Sequence, residues 1–390
     1  MAIILRDYQK AASDKAVAFF KDKNKKSNGV MVLPTGAGKS IVIADIAHRL
    51  NDYVLIFCPS REILEQNFKK LCSYGILDCS IYSASFGRKE ISRITFATIG
   101  SVINHPELFQ HFQNIIIDEC HLVNPKEGMY KSFLSILKCK VLGLTATPYR
   151  LSSSRDFGSM LKFITRTRPC IFSEVIYQVQ ISTLLDMGYL AKLDYYAMNP
   201  IGWNELNLKM NTTGADYTDK SVIREYERID FYGYLVHIVQ RLMNPKSGVR
   251  RKCILVFTRF LKEAERLTWS IPGTAIVSGE TPKKERERVL EAFKSGEIPV
   301  VANVGVLTTG FDYQELDTVV IARPTMSLAL YYQMIGRAIR PHKDKKVAWI
   351  VDLAGNINRF GKVEDLRLVD GGKGKWAVYS GYRQLTNVRF

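Results

Sequence analysis

The stretch VMVLPTGAGKSIVIADIAHRL, residues 30–50, places an apolar run, a glycine-rich turn and an amphipathic run in direct succession. Val30–Leu33 predicts a buried strand, and the apolar spacing from Ser40 to Leu50 predicts a helix. Glycines let backbone N–H groups turn toward an anion, and a helix N-terminus favours negative charge. A strand, a Gly-x-Gly-Lys-Ser turn and a helix together predict a phosphate-binding loop.

Within this loop, Lys39 is expected to reach the β- and γ-phosphates of a nucleotide, and Ser40 to ligate Mg²⁺. The first glycine of the common GxxxxGK[ST] pattern is missing, because that position is Leu33. The remaining predicted nucleotide contacts of the loop are Pro34, Thr35, Gly36, Ala37 and Gly38.

Strands and helices alternate along the rest of the chain. Continuously apolar strands that alternate with helices indicate a parallel sheet covered on both faces. We therefore predict an α/β fold with two domains of similar build, at residues 1–190 and 191–390, the second with a helical insertion around residues 204–246. Further strands are predicted at Val54–Cys58, Thr95–Thr98, Ile115–Ile117, Val141–Leu144, Cys253–Phe257, Thr274–Val277, Val300–Asn303, Thr318–Ile321 and Val347–Leu353, with helices at Arg61–Tyr74 and Thr218–Met243 and a polar loop at residues 152–159.

Short polar motifs follow several of these strands. In open α/β sheets, ligands bind beyond the carboxyl ends of the strands, so these residues should share one edge. Asp118 and Glu119 end one such strand, and two adjacent carboxylates would be costly to bury without partners. A Mg²⁺–nucleotide complex is a suitable partner, with Asp118 holding the metal and Glu119 polarising the attacking water.

Composition limits the classes of partner. The net charge of +17 favours a polyanion, of which nucleic acid is the commonest. The seven cysteines have no CxxC spacing, so no structural zinc is expected. The start MAIILRDYQK does not have the pattern of a signal peptide, and no apolar run reaches membrane-spanning length, so a cytoplasmic protein is expected.

Several motifs in order resemble those of superfamily 2 helicases and translocases of the DEAD/DEAH type. The resemblance covers nearly the whole chain and implies two tandem RecA-like domains with ATP in a cleft between them. Within that superfamily the chain looks most like RadD-type DNA-repair ATPases, without their cysteine-rich C-terminal segment. The motifs are LRDYQ (5–9), PTGAGKS (34–40), PSRE (59–62), ATIGS (97–101), DECH (118–121), TAT (145–147), VLTTGFD (306–312) and QMIGRAIRP (333–341).

The resemblance assigns further roles. Arg337 and Arg340, three residues apart as on one helical face, would be arginine fingers on the γ-phosphate. Gly336 would let the backbone approach closely. The other implied residues are Arg6 and Gln9 at the adenine, Gly310 and Asp312 near the ribose, Arg61, Thr98, Ser101, Thr258 and Thr308 at nucleic acid, and Thr145, Thr147 and Gln333 in coupling.

The expected function is a nucleic-acid-dependent ATPase motor, a DNA helicase or translocase of repair, recombination or replication that uses ATP and Mg²⁺. A monomer is expected, because one chain supplies both halves of the ATP site. The alternatives are an RNA helicase or remodeller of the same superfamily, and a duplex translocase that does not separate strands. A phosphate-loop kinase or GTPase switch would leave the second half of the chain without a purpose. A non-catalytic nucleic-acid-binding module would explain the charge of +17 but not the paired carboxylates of Asp118 and Glu119.

Overall fold

Two parallel sheets, one in each half of the chain, organise the structure, a computed structural model that describes residues 3–137, 139–154, 158–212, 216–307 and 313–388. We call the part built around the first sheet the N-terminal unit and the part built around the second sheet the C-terminal unit. The chain crosses between the sheets at residues 179–191.

Eight strands form the first sheet, and two more form a hairpin beside it. In chain order the strands of this half are β1 (Gly29–Val32), β2 (Val54–Phe57), β3 (Cys79–Ser83), β4 (Arg88–Lys89), β5 (Ile94–Ala97), β6 (Asn114–Asp118), β7 (Lys140–Thr145), β8 (Tyr149–Ser154), β9 (Gly158–Phe163) and β10 (Glu174–Gln178). The sheet order is β10-β1-β7-β6-β2-β5-β3-β4, in which only the β3–β4 pair is antiparallel.

The second sheet has six strands that all pair in parallel. Its strands are β11 (Lys192–Ala197), β12 (Ile254–Thr258), β13 (Thr274–Val277), β14 (Val300–Val304), β15 (Thr318–Ile321) and β16 (Val347–Asp352). They lie in the order β11-β16-β15-β12-β14-β13. Two tandem parallel-sheet units confirm the predicted fold class.

Helices cover both sheets, so the central strands are buried along their whole length. None of the helices in these described ranges is long and apolar enough to span a membrane. The helices are α1 (Asp7–Lys21), α2 (Lys39–Leu50), α3 (Arg61–Cys72), α4 (Ile99–Val102), α5 (Met129–Ile136), α6 (Ile181–Asp186), α7 (Asp219–Arg228), α8 (Phe231–Met243), α9 (Leu261–Ser270), α10 (Lys283–Ser295), α11 (Leu328–Ile335) and α12 (Asn356–Phe360).

Two local predictions were wrong. The expected single helix over Thr218–Met243 is two helices, α7 and α8, because the backbone at Asp230 is left-handed with φ of 46° and its carboxylate accepts a hydrogen bond from Gly233 N. Residues 152–154 and 158–159 of the expected polar loop lie instead in β8 and β9, which pair antiparallel with Tyr149 opposite Phe163, and residues 155–157 lie outside the described residues.

A small antiparallel sheet follows the C-terminal unit and packs against the N-terminal unit. Its strands are β17 (Leu366–Asp370), β18 (Trp376–Ser380) and β19 (Arg383–Gln384). The side-chain amide of Gln180 donates to Leu368 O at 2.8 Å and accepts from Leu368 N at 3.0 Å. The ring of Trp376 stacks on that of Phe163 in β9. The end of the chain thus contacts both units.

Glu263 provides a test of stability against pH. Its buried carboxylate accepts hydrogen bonds from Phe260 N at 2.9 Å and Arg259 N at 3.4 Å, at the start of α9. Burial raises the pKa of this carboxyl from 4.5 to about 7. The folded state therefore holds a proton between these values that the unfolded state releases, so wild-type stability should fall as pH rises through this window.

We expect Glu263→Gln, which cannot ionise, to remove that contribution. The free-energy difference between variant and wild type should shift by roughly 2–3 kcal/mol in favour of the variant from pH 5 to pH 8. Urea unfolding of both proteins at the two pH values measures it, and a difference that does not change with pH would contradict the raised pKa.

Candidate functional site

The loop between β1 and α2 lies at the carboxyl end of the first sheet. Gly36 and Gly38 have left-handed backbones, with φ of 83° and 79°. A Cβ on Gly38 would lie 2.6 Å from the side-chain nitrogen of Gln9, so only glycine fits there. Gln9 in turn donates from Nε2 to Ala37 O at 2.9 Å. The fold therefore places a glycine-containing turn, contacted by Gln9, at the start of a twelve-residue helix.

Two carboxylates follow β6 directly beside this loop. Asp118 ends the strand, and one of its oxygens accepts the N–H of Glu119 at 2.9 Å. Glu119 has a left-handed backbone with φ of 49°, which costs a non-glycine residue roughly 1–2 kcal/mol. This conformation accompanies an ion pair between Glu119 Oε1 and Lys39 Nζ, at 3.1 Å. Backbone strain at such a position points to a functional site.

The two carboxyls have opposite pKa shifts. Burial and the adjacent charge of Glu119 raise the pKa of Asp118 to about 6. Burial also raises the pKa of Glu119, but the positive charge of Lys39 and the hydrogen bond from His121 outweigh it and lower the pKa to about 2. A pair of neighbouring acids with separated pKa values is a frequent arrangement in catalytic sites.

A polar chain runs from Glu119 toward the C-terminal unit. His121 Nδ1 lies 3.3 Å from Glu119 Oε2 and 2.9 Å from the hydroxyl of Thr145. The other ring nitrogen of His121 lies 3.5 Å from the side-chain nitrogen of Gln333 on α11. The Thr145 hydroxyl also accepts the N–H of Thr147. The predicted coupling residues are therefore adjacent, and His121 joins them across the units.

Arg337 and Arg340 reach the same place from the C-terminal unit. The prediction that a helix would carry both arginines was wrong, because α11 ends at Ile335 and a turn beginning at Gly336 presents them. A Cβ on Gly336 would lie 2.7 Å from Thr35 Cγ2, so the backbone there contacts the phosphate loop closely. Burial lowers the pKa of both guanidinium groups to about 10, so they remain charged at neutral pH.

These groups line one cleft between the units, with a volume of about 840 Å³. Both units contribute to it, and we call it the interdomain cleft. Ala37 and Thr145 are buried just behind its wall. The sequence-predicted residues that line the cleft are Arg6, Gln9, Pro34, Thr35, Gly36, Gly38, Lys39, Ser40, Asp118, Glu119, Thr147, Gln333, Arg337 and Arg340.

The predicted nucleic-acid residues are only partly brought together. Thr98 Oγ1 lies 2.9 Å from Ser101 Oγ and 3.1 Å from Ser83 Oγ, which forms a hydroxyl cluster at the end of β3 and β5. Arg61 lies beside this cluster, with its guanidinium 4.3 Å from the centre of the Phe86 ring.

Other predicted contacts are not supported or fall elsewhere. The structure does not support a contact through Thr258, because its hydroxyl is fully buried and donates to Asn303 O at 3.3 Å. Thr308, Gly310 and Asp312 lie outside the described residues.

Three residues at the cleft were missed from the sequence. Tyr189 lines the cleft near Gln9, and the Arg6 guanidinium stacks 4.2 Å from its ring centre. His121 is the last residue of the DECH motif, but the motif alone does not indicate which side chains it contacts. Asn67 donates from Nδ2 to Asp118 at 3.0 Å, a contact between residues 51 positions apart that no local pattern signals.

Both units are similar to known protein families. Residues 2–150 match the family model of the type III restriction enzyme res subunit, and residues 235–342 match the helicase conserved C-terminal domain. The DNA 3'-5' translocase XPB2 of Sulfurisphaera tokodaii is 27% identical over 89% of this chain and 81% of its own. The ATP-dependent DNA helicase uvsW of Enterobacteria phage T4 is 24% identical over 83% of this chain and 64% of its own.

Other curated relatives are longer, and the chain spans about half to two-thirds of their length. Among solved structures, the type ISP restriction-modification enzyme LlaBIII bound to DNA aligns with a TM-score of 0.67 and 18% identity, over 89% of this chain and 27% of that one. Dbp5 of Saccharomyces cerevisiae bound to RNA and ADP BeF3 aligns with a TM-score of 0.58 and 14% identity, over 90% of this chain and 84% of that one.

These structural likenesses concern the fold, which is the tandem parallel-sheet arrangement described above. The family models add the order of the two units, and the relatives add similarity along most of the chain. The chain belongs to superfamily 2 of helicases and translocases.

Proposed function

We propose that the protein is a nucleic-acid-dependent ATPase motor that acts on DNA. The observation that carries the proposal is the interdomain cleft, which joins Lys39, Asp118 and Glu119 from one unit with Arg337 and Arg340 from the other. A site divided between two units can couple the state of a bound nucleotide to their relative position. A binding module without catalysis would not need strained, paired carboxylates opposite two arginines.

The cleft has the donors that a Mg²⁺–ATP complex requires. Ser40 and Asp118 both line it and offer a hydroxyl and a carboxylate, the hard oxygen ligands that Mg²⁺ prefers. This ion is commonly held by one or two carboxylates together with substrate phosphates, so two protein oxygens suffice. When bound, Mg²⁺ neutralises charge on the β- and γ-phosphates. The glycine turn and Lys39 would hold those phosphates, with Gln9 and Tyr189 beside the base.

Binding of ATP would release Glu119 for catalysis. In the structure Lys39 pairs with Glu119, and its charge, together with the hydrogen bond from His121, lowers the pKa of the carboxyl to about 2, too low for an effective base. A γ-phosphate that takes Lys39 removes that partner. The carboxylate then becomes more basic, and it can orient a water and accept its proton. Arg337 and Arg340 spread the charge that develops on the transferred phosphoryl group.

Nucleic acid would lie across both units, with Arg61 and the hydroxyl cluster of Thr98 and Ser101 contacting its backbone. Such contacts position a strand without reading its sequence. Closure and opening of the cleft would then move the units along the strand. One chain supplies both faces of the cleft, so a monomer is sufficient.

The test is steady-state ATP hydrolysis with no polymer, single-stranded DNA, duplex DNA, forked DNA and RNA, at low and moderate salt. We expect one form of DNA to raise the rate, and Lys39→Ala to abolish hydrolysis with every polymer. Strand separation on the labelled fork distinguishes a helicase from a duplex translocase. Stimulation by RNA alone would favour the RNA helicase, and a rate indifferent to every polymer would contradict the motor.

Gly336→Ala tests the closed contact between the units. The added Cβ would meet Thr35 Cγ2 at 2.7 Å and must displace the arginine turn from the phosphate loop. A displacement below about 1 Å can lower the rate by roughly 10- to 100-fold, and we expect such a loss in the polymer-stimulated kcat.

The double variant Gly336→Ala with Thr35→Ser removes the clashing methyl group and should recover part of the rate. Gly279→Ala is the matched control, because a Cβ there would meet no described atom within 4 Å. Equal rates for Gly336→Ala and Gly279→Ala would show that the contact does not limit hydrolysis.

A further inference from the structure

Asn67 lies inside the interdomain cleft and contacts the carboxylate of Asp118. Its Nδ2 donates to Asp118 Oδ2 at 3.0 Å, and the same nitrogen lies 3.5 Å from Cys58 Sγ at the end of β2. Asn67 is only 2% exposed and Asp118 only 5%. A buried amide of this kind has little room to change rotamer, so it fixes the oxygen that it contacts.

The two oxygens of Asp118 are held from different sides. Oδ1 accepts the N–H of Glu119, and Oδ2 accepts Asn67. Two donors at separate oxygens fix both the rotation and the tilt of a carboxylate plane. Asp118 lines the cleft, so the lone pairs of its carboxylate that these two donors do not use are available to a ligand there.

We infer that Asn67 is a positioning residue that orients Asp118 for the divalent cation. This inference rests on the proposed function, in which Asp118 holds Mg²⁺ with ATP. Hydrogen-bonding partners of metal ligands commonly affect metal affinity or activity by 10- to 100-fold when they are removed. Asn67 acts through Asp118 and does not itself contact the reacting atoms.

The test measures two quantities. Electron paramagnetic resonance gives the affinity for Mn²⁺ in the presence of ADP, and steady-state assays give the Mg²⁺ concentration for half-maximal ATP hydrolysis. We expect Asn67→Ala to weaken Mn²⁺ binding and to raise the half-maximal Mg²⁺ concentration, each by about 10- to 100-fold. Binding of a fluorescent ATP analogue without divalent cation should stay within about twofold of wild type.

Asn67→Leu separates orientation from packing, because leucine has nearly the same shape but no donor. If Asn67 orients Asp118, the leucine variant behaves like the alanine variant. Asn114→Ala is the matched control, since Asn114 Nδ2 also donates to a carboxylate, Asp52 Oδ2 at 3.1 Å, at the opposite end of the strand that carries Asp118. This control should leave Mn²⁺ affinity unchanged, and thermal unfolding of all three variants verifies that they fold.

The outcomes distinguish the role of Asn67 from the proposed function. Wild-type Mn²⁺ affinity in folded Asn67→Ala, or restoration of that affinity in Asn67→Leu, would overturn the role of Asn67 and leave the proposed function intact. A wild-type protein that neither binds Mn²⁺ with ADP nor hydrolyses ATP would overturn the proposed function itself.

Discussion

Replacement of Arg340 by alanine is expected to lower the polymer-stimulated kcat for ATP hydrolysis by at least about 10³-fold, the lower end of the range for an arginine finger. The Arg340 side chain lines the cleft opposite the phosphate loop and is half-buried. Its charge would stabilise the transition state more than bound ATP, so kcat should fall while nucleotide affinity changes little. Single-turnover hydrolysis and titration of a fluorescent ATP analogue measure the two effects separately.

Arg340→Lys keeps the charge but loses the planar guanidinium, and it should recover little of the rate. Arg288→Ala is the control, because Arg288 is an exposed residue of the same unit whose ion pair with Glu285 lies at the surface of α10. Exposed pairs contribute little, so this variant should match wild type. An Arg340→Ala protein within tenfold of wild type would exclude a finger at this position.

Glu119→Gln is expected to lower kcat by about 10²- to 10⁴-fold, the usual contribution of a general base. The amide keeps the shape of the side chain but cannot accept a proton from water. Because the variant also loses its charge, Lys39 no longer has the partner that lies 3.1 Å away in the wild type. We therefore expect ATP to bind at least as tightly as in wild type.

Equilibrium binding of ATP with Mg²⁺, measured beside the hydrolysis rate, tests this combination of results. Glu127→Gln, an exposed position of the same unit, provides the same chemical change away from the cleft. If Glu119→Gln weakened ATP binding and hydrolysis equally, Glu119 would be a structural part of the binding site and not the base.

The sheets could be predicted from the sequence because buried parallel strands are continuous apolar runs. Thr274–Val277 and Thr318–Ile321 were predicted at the residues where the strands lie. The phosphate loop was predictable for a related reason, since its glycines and its lysine are adjacent in the chain. Features that depend on contacts between distant residues were not predictable.

Asn67 is one such feature, because only the fold brings it to Asp118. The turn that carries Arg337 is another. Helical spacing is present in the sequence, but Gly336 lies against Thr35 of the other unit, and α11 ends just before it. The surface role expected of Thr258 is not supported, because the hydroxyl of this last strand residue points to Asn303 O within the sheet. Polar residues at strand ends can satisfy the backbone as readily as a ligand.

The small sheet at the end of the chain lies beside the point where the chain crosses between the two units, and this position limits how they could move. It attaches to the N-terminal unit through Gln180, next to the β10 edge, and the chain crosses between units beside it, where Ala191 N donates to Ile339 O. We expect two attachments on one side to act as a hinge, so that opening of the cleft would be a rotation about that edge. The end of β5, with Thr98, lies five strands away, or about 24 Å at the usual spacing. A rotation of about 10° about that edge would move it by about 4 Å, a distance comparable to the rise of roughly 3.4 Å per nucleotide along one strand of DNA.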